Sequence, residues 1–418
     1  MFLQQKHFTV FVLYTGTYLL YICIMNNEII TQLEITMQRR IAALPERIRL
    51  FTQEQSLPQS LLLTGPRGVG KTTCLLYHAA QNSDKTLYFS ADNPLLISES
   101  LFQLCSSIFM TGYKGVIIDE VHFAKDWSLH LKALFDDFPD RKIWVSDSSS
   151  LVLRNSRGDL SRRFVSVAMP FLSFREFLHL ETGAKYPKHD AFNLDKEIPL
   201  APTSEILDLF RTYREYGTRP FYKDGNFQDR MLAVLDKTLY YDIPFFLPQI
   251  TDGNLRLMKA IVGTLSQNTI PRIQVRSLCS DWGIGAEKLY QLLEVMESVG
   301  IIRIIRKEND TKARSTGAKL FFSDPAMYAI LSGKQGTARE ALVATLCALS
   351  GWQVWASKKE EHGDFILTSA NQLYTKKRIL IEVGGKNKSV KKADYVIRDD
   401  IDYPAGNAIP AWLLGMGF

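Results

Sequence analysis

Leu61-Leu62-Leu63-Thr64-Gly65-Pro66-Arg67-Gly68-Val69-Gly70-Lys71-Thr72-Thr73 is the stretch on which the reading of the fold turns. It fills every fixed position of G-x-x-x-x-G-K-[ST], with Gly65, Gly70, Lys71 and Thr72. The leucines before it suit a buried parallel strand, and Cys74-Leu75-Leu76-Tyr77-His78-Ala79-Ala80 after it suits the helix that such a strand feeds. Glycines let the backbone turn so that successive N–H groups face phosphate oxygens, and the new helix adds its positive end. The pattern therefore predicts a nucleoside triphosphate site, ATP with Mg²⁺, cradled by Gly65, Pro66, Arg67, Gly68, Val69, Gly70, Lys71, Thr72 and Thr73. Lys71 is expected at the β- and γ-phosphates and the Thr72 hydroxyl on the metal.

Gly115-Val116-Ile117-Ile118-Asp119-Glu120 is a second apolar run, ending in paired carboxylates. In a strand-and-helix chain behind a phosphate loop, Asp119 is expected to hold the Mg²⁺ water shell. Glu120 is expected to polarise the attacking water. Arg141-Lys142-Ile143-Trp144-Val145-Ser146-Asp147-Ser148-Ser149-Ser150 is a third strand running into hydroxyls, and a plain serine-rich turn competes with any functional reading of it. Arg154, Arg157, Arg162 and Arg163 then crowd the segment before a further strand, Phe164–Met169. An arginine reaching a neighbour's γ-phosphate would stabilise spread transition-state charge, and surface arginines are common enough that the four are candidates only as a group.

These residues carry a resemblance. The phosphate loop, Ile118-Asp119-Glu120 with Trp127, the Ser146–Ser150 turn, and Leu160-Ser161-Arg162-Arg163 before Pro170-Phe171-Leu172-Ser173-Phe174-Arg175-Glu176-Phe177 resemble one group of proteins. It is the bacterial and archaeal AAA-type ATPases with a C-terminal domain of unknown function. Arg162 or Arg163 falls on that group's arginine, and Tyr216-Gly217-Thr218-Arg219-Pro220 resembles its later turn, with Thr218 where glycine is usual. The likeness spans about residue 35 to the C-terminus and is looser after the ATPase half. It implies an α/β fold: an additional-strand (AAA-type) P-loop core, a helical lid, a winged-helix segment and a restriction-endonuclease-like terminal domain. In additional-strand ATPases a polar residue on the strand beside the phosphate loop senses the γ-phosphate. Ser146 is the candidate here, Asp147 the second.

With 418 residues, several domains are expected: an extension over 1–25, an ATPase core over 26–180, a linker and lid over 181–250, a winged-helix-like unit over 251–332 and a terminal unit over 333–418. A hydrophobic fraction of 46% with 22% charged residues excludes a disordered chain. A net charge of +6 permits nucleic-acid contact without arguing for it, because a nucleotide site itself needs positive charge. Five cysteines without short spacing predict neither a disulfide framework nor a zinc site and suit a reducing cytoplasm. The uncharged stretch Phe8–Met25 is at the lower edge of spanning length, broken by Gly16, threonines and tyrosines. An over-extended start before Met25 or a disordered hydrophobic extension is favoured over a membrane anchor, and membrane association through residues 8–25 is the competing reading.

Three expected helices, over 255–265, 275–282 and 286–299, precede strands over 301–307 and 319–322, the order of a winged helix. The third helix offers Lys288 and Gln291 against three glutamates, so protein contact competes with DNA contact. Further on, Gly363-Asp364-Phe365-Ile366-Leu367 and Arg378-Ile379-Leu380-Ile381-Glu382-Val383-Gly384-Gly385-Lys386 resemble the PD-(D/E)xK nuclease core. Asp364 and Glu382 would hold Mg²⁺, but Gly384 stands in the lysine's place and Lys386 is displaced by two positions, so a vestigial nuclease site is favoured. The expected function is a cytoplasmic Mg²⁺-dependent ATPase acting on DNA or another macromolecule. Its alternatives are a protein-binding nucleotide switch and an ATP-coupled nuclease, and a homo-oligomer is open.

Overall fold

The computed structural model describes residues 27–418 except 83, 97–98, 149–159, 195, 268–278, 281, 309–317, 358–362, 370–377 and 386–391. The hydrophobic stretch 8–25, Ser149, Ser150, Arg154, Arg157, Lys386 and the greater part of the expected helix 275–282 lie outside the described residues. Among the described residues no helix is long and apolar enough to cross a membrane.

Five short strands make the first sheet: β1 (Ser60–Thr64), β2 (Thr86–Ser90), β3 (Gly115–Asp119), β4 (Lys142–Asp147) and β5 (Val165–Ala168). Their order is β2-β3-β4-β1-β5, and every pairing is parallel. An all-parallel sheet is covered on both faces, which is why β1 and β3 read as unbroken apolar runs and are buried throughout. Alternation still sorts their side chains. Leu61 and Leu63 pack with Cys74, Leu75 and Trp144 on one face, and Leu62 packs with Val116, Ile118 and Val145 on the other. β4 lies between β1 and β3, so the strand bearing Ser146 separates the phosphate-loop strand from the Asp119 strand. All three strands deliver their C-terminal ends to one edge, where open α/β sheets place ligands.

Helix Phe174–Thr182 begins with a complete capping box between Ser173 and Glu176. Helix Phe227–Lys237 runs into a π-helical turn, Thr238–Asp242. Helices Asp252–Gln267 and Ala286–Ser298 then lead to an antiparallel pair, β6 (Ile302–Ile305) and β7 (Lys319–Phe322). Helix Gln335–Leu349 precedes the last sheet, which holds β8 (Gln353–Ala356), β9 (Phe365–Thr368), β10 (Arg378–Val383), β11 (Tyr395–Arg398) and β12 (Ala408–Pro410) in spatial sequence. β8, β9 and β10 are antiparallel, while β10, β11 and β12 are parallel. The chain end returns to the first sheet: Phe418 stacks on Phe51 at 6.3 Å, and its carbonyl accepts from Arg175.

Candidate functional site

The loop after β1 has the backbone that its glycines require. Gly65 has φ 150°, and a Cβ there would lie 2.3 Å from the Met169 carbonyl oxygen. Gly68 has φ 77°, and its Cβ would lie 2.3 Å from the Phe221 ring. The loop is thus pressed between the turn after β5 and residues 220–221, with no room for side chains at either position. Lys71 opens helix Lys71–Gln81, and its Nζ donates to the Gly65 and Pro66 carbonyls at 2.8 and 3.1 Å. Burial holds its ammonium below the usual lysine range, and Glu120, Asp119 and Asp147 pull the other way.

Asp119 is the hub. Its carboxylate accepts from the Thr72 hydroxyl at 2.5 Å, the Ser146 hydroxyl at 2.5 Å, the Tyr88 hydroxyl at 3.2 Å and the Glu120 N–H at 3.1 Å. Thr72 and Asp119 are the oxygen pair expected of a Mg²⁺ site, and a hard cation takes such donors. Ser146 is fully buried behind Asp119, so the structure places its hydroxyl against the Asp119 carboxylate.

Glu120 follows in a left-handed conformation, φ 49°, which a non-glycine residue holds at a cost of about 1–3 kcal/mol. Its Oε1 accepts from Arg67 Nη1 at 3.1 Å, and its Oε2 accepts from Ser148 at 3.3 Å. Burial raises the Glu120 carboxyl above the ordinary glutamate range. Arg67 opposes that rise, Asp147 and Asp119 add to it, and Lys71 opposes it. His122 lies 3.7 Å from Glu120 Oε2 and bonds Asp147 through Nδ1 at 2.7 Å. Glu120, His122 and Asp147 form the one group of three metal-ligating side chains among the described residues.

Above these residues opens a cavity of about 670 Å³, lined by Pro45 to Arg49, by Arg67, Gly68 and Gly70 to Thr73 of the phosphate loop, by Asp119 and Glu120, and by Pro220, Phe221, Lys223 and Asp224. That is within the usual range for a nucleotide-sized ligand. The cradle, the Thr72–Asp119 oxygen pair and the Lys71 ammonium all fit a Mg²⁺–triphosphate.

Arg162 and Arg163 stand on the turn before β5, outside this cavity, and Arg163 pairs with Asp136 at 2.9 Å. In the last sheet, Asp364 precedes β9 and Glu382 lies in β10 directly across from it. Asp364 N–H bonds the Ile381 carbonyl, and its carboxylate accepts from the Val383 N–H at 2.9 Å.

Several contributors escape a reading of the sequence. Arg49, buried beneath the loop, donates to the Val69, Pro170 and Phe171 carbonyls and to both oxygens of Glu176. Asp242 clamps Arg67 through two bonds, of 2.7 and 2.8 Å. Arg219 donates to the Arg67 carbonyl and pairs with Asp324 at 2.7 Å. Lys319 bridges Glu340 at 2.6 Å and Asp364 at 3.0 Å.

A parallel sheet with an inserted strand, a glycine cradle and adjacent carboxylates at the end of a neighbouring strand define a P-loop nucleotide-binding core. Residues 58–178 match the family described as AAA domain. No curated protein matches the chain by sequence. Among solved structures, the Thermotoga maritima RuvB Holliday junction branch migration motor is similar at 17% identity, covering 72% of this chain and 94% of its own, with a TM-score of 0.34. A point variant of the same motor is similar at 18% identity, covering 69% of this chain and 91% of its own, with a TM-score of 0.33.

Proposed function

We propose that the chain binds ATP with Mg²⁺ and hydrolyses it to drive work on DNA or another macromolecule. The observation that carries this is the meeting of Thr72 and Asp119 at 2.5 Å beneath a glycine cradle, with Lys71 and Glu120 lining the same cavity. In this reading Lys71 binds the β- and γ-phosphates, and Thr72 and Asp119 hold the metal. Ser146 fixes the Asp119 carboxylate, and Glu120 takes the proton of the attacking water. Arg162 and Arg163 would act on the nucleotide of a second copy, since neither lines its own cavity. Residues 181–250 would serve as a helical lid and 251–332 as a winged-helix unit, on the support of the two helices and the β6–β7 pair.

The test is ATP turnover with and without duplex DNA. Lys71→Ala should abolish nucleotide binding, and Glu120→Gln should keep binding while stopping turnover. Equal loss of affinity in both would sink these roles. DNA-stimulated turnover would favour a DNA motor, and indifference to DNA would favour the protein-binding switch.

We read residues 333–418 as a restriction-endonuclease-like unit that does not cut. Asp364 and Glu382 are neighbours across two strands, which supports the fold, but the Lys319 ammonium already sits between Asp364 and Glu340. The full chain is expected to show no, or very weak, Mg²⁺-dependent DNA cleavage. Robust nicking lost in Asp364→Ala would overturn that.

A further inference from the structure

We propose that Arg67 senses the γ-phosphate, exchanging its bond to Glu120 for the phosphate and so releasing the catalytic base only when a triphosphate is bound. The inference rests on the nucleotide reading above and deepens it.

The guanidinium is planar and carries five donors in a fixed fork. Two of its nitrogens are committed to Asp242, Nε at 2.7 Å and Nη2 at 2.8 Å, and Asp242 is 4% exposed. That clamp fixes the plane of the fork. The third nitrogen, Nη1, reaches Glu120 Oε1 at 3.1 Å across the mouth of the cavity. Lys71 is turned toward the Gly65 and Pro66 carbonyls instead, so Arg67 is the cation hydrogen-bonded to Glu120 among the described residues.

The arrangement matters because of what Glu120 has to do. With one oxygen on Arg67 and the other on Ser148, the carboxylate is turned to the guanidinium, and the adjacent positive charge makes it a weaker acceptor for a water proton. The base is held but masked. A γ-phosphate brings close to two negative charges and three acceptor oxygens into a cavity that Arg67, Lys71 and Thr72 all line. It outcompetes a single carboxylate for Nη1. A diphosphate ends one phosphate short and leaves the bond to Glu120 in place. Asp242 belongs to the π-helical turn Thr238–Asp242, a geometry frequent at functional sites.

The test compares affinities for Mg²⁺–ATPγS and Mg²⁺–ADP by calorimetry, in wild type, Arg67→Gln, Asp242→Asn, Glu120→Gln and Lys71→Ala. Arg67→Gln should weaken ATPγS about 10- to 100-fold, the worth of one charge-assisted hydrogen bond, and change ADP less than about twofold. Asp242→Asn should shift the ratio in the same direction by less. Glu120→Gln should strengthen ATPγS alone, and by more with Arg67 in place than in the Arg67→Gln background, since removing a carboxylate beside the phosphate helps in either case but only Arg67 gains a freed Nη1. Equal weakening of both nucleotides by Arg67→Gln would make it an ordinary phosphate-loop cation and overturn the proposal, as would no change in either. Lys71→Ala separates the two levels: undiminished binding there defeats the nucleotide reading itself, whatever Arg67 does.

Discussion

Replacing Arg49 by methionine is expected to destabilise the ATPase core by about 3–5 kcal/mol, the usual consequence of stranding one partner of a buried ion pair. The structure supports the upper part of that range. Arg49 is 4% exposed and Glu176 is fully buried, so the surviving carboxylate could not turn to water. The Val69, Pro170 and Phe171 carbonyls would lose their donor in the same step. At about 2–4 °C per kcal/mol for a unit of 150–250 residues, the melting temperature should fall by roughly 6–20 °C. Glu176 also accepts from the Phe51 and Ser173 N–H groups, and glutamine can keep the second of these as part of a capping box. Arg49→Met combined with Glu176→Gln should therefore be more stable than Arg49→Met alone, because no uncompensated charge remains. Melting curves of the two singles and the double form the cycle. A drop under about 2 °C for Arg49→Met, or a double variant that merely adds both losses, would refute the reasoning.

Ser146→Ala should raise the Mg²⁺ concentration for half-maximal turnover about 10-fold or more, as loss of a group orienting a metal-binding carboxylate does. An unchanged Mg²⁺ requirement with lost ATP-over-ADP preference would instead place the hydroxyl on the γ-phosphate. Lys319→Met should lower the melting temperature, by about 1–3 kcal/mol worth of stability, because Glu340 and Asp364 are left facing each other without their shared cation. A neutral result would show that the bridge is solvated. His78 has its pKa lowered by burial, opposed by its bond to the Thr52 carbonyl. A depressed folded-state pKa means that its stabilising contribution is complete above the unfolded value near 6.5 and is lost as pH falls through the folded value. Melting temperature should therefore decline below about pH 6.5, more steeply in wild type than in His78→Gln, and parallel profiles would count against it.

What could be read from the chain was local. The phosphate loop announces itself because four residue types at fixed spacing serve one turn and one helix start. Asp119 and Glu120 stand out because a buried apolar run rarely ends in two acids. The pairs β6–β7 and β9–β10 were also legible, since β-branched and aromatic runs of strand length flank polar loops. The partners of those residues were not. Arg67 meets Asp242, Arg49 meets Glu176 and Lys319 meets Asp364 across long stretches of chain, and no period or spacing marks such a pair. Ser146 shows the same limit from the other side. Its strand was evident, but whether its hydroxyl faced a phosphate or a carboxylate depended on β4 lying next to β3.

Two groups of buried charges, joined through the backbone of β7, lead away from the cavity. Arg219 donates to the Arg67 carbonyl and pairs with Asp324, which also accepts from Thr218 at 2.8 Å; all three are almost wholly buried. Asp324 lies two residues past the end of β7, and β7 carries Lys319, whose ammonium holds Glu340 and Asp364. A packed polar chain of this kind transmits a signal only if one link has two arrangements that a ligand can bias. Under the exchange proposed above Arg67 would supply such a link, and its carbonyl accepts from Arg219. Fully paired, desolvated charges resist partial displacement, because a half-broken bridge leaves a buried group unsatisfied. The elements along the route are therefore expected to shift together, which is how a small exchange at a phosphate could reach a sheet that shares no strand with the ATPase core.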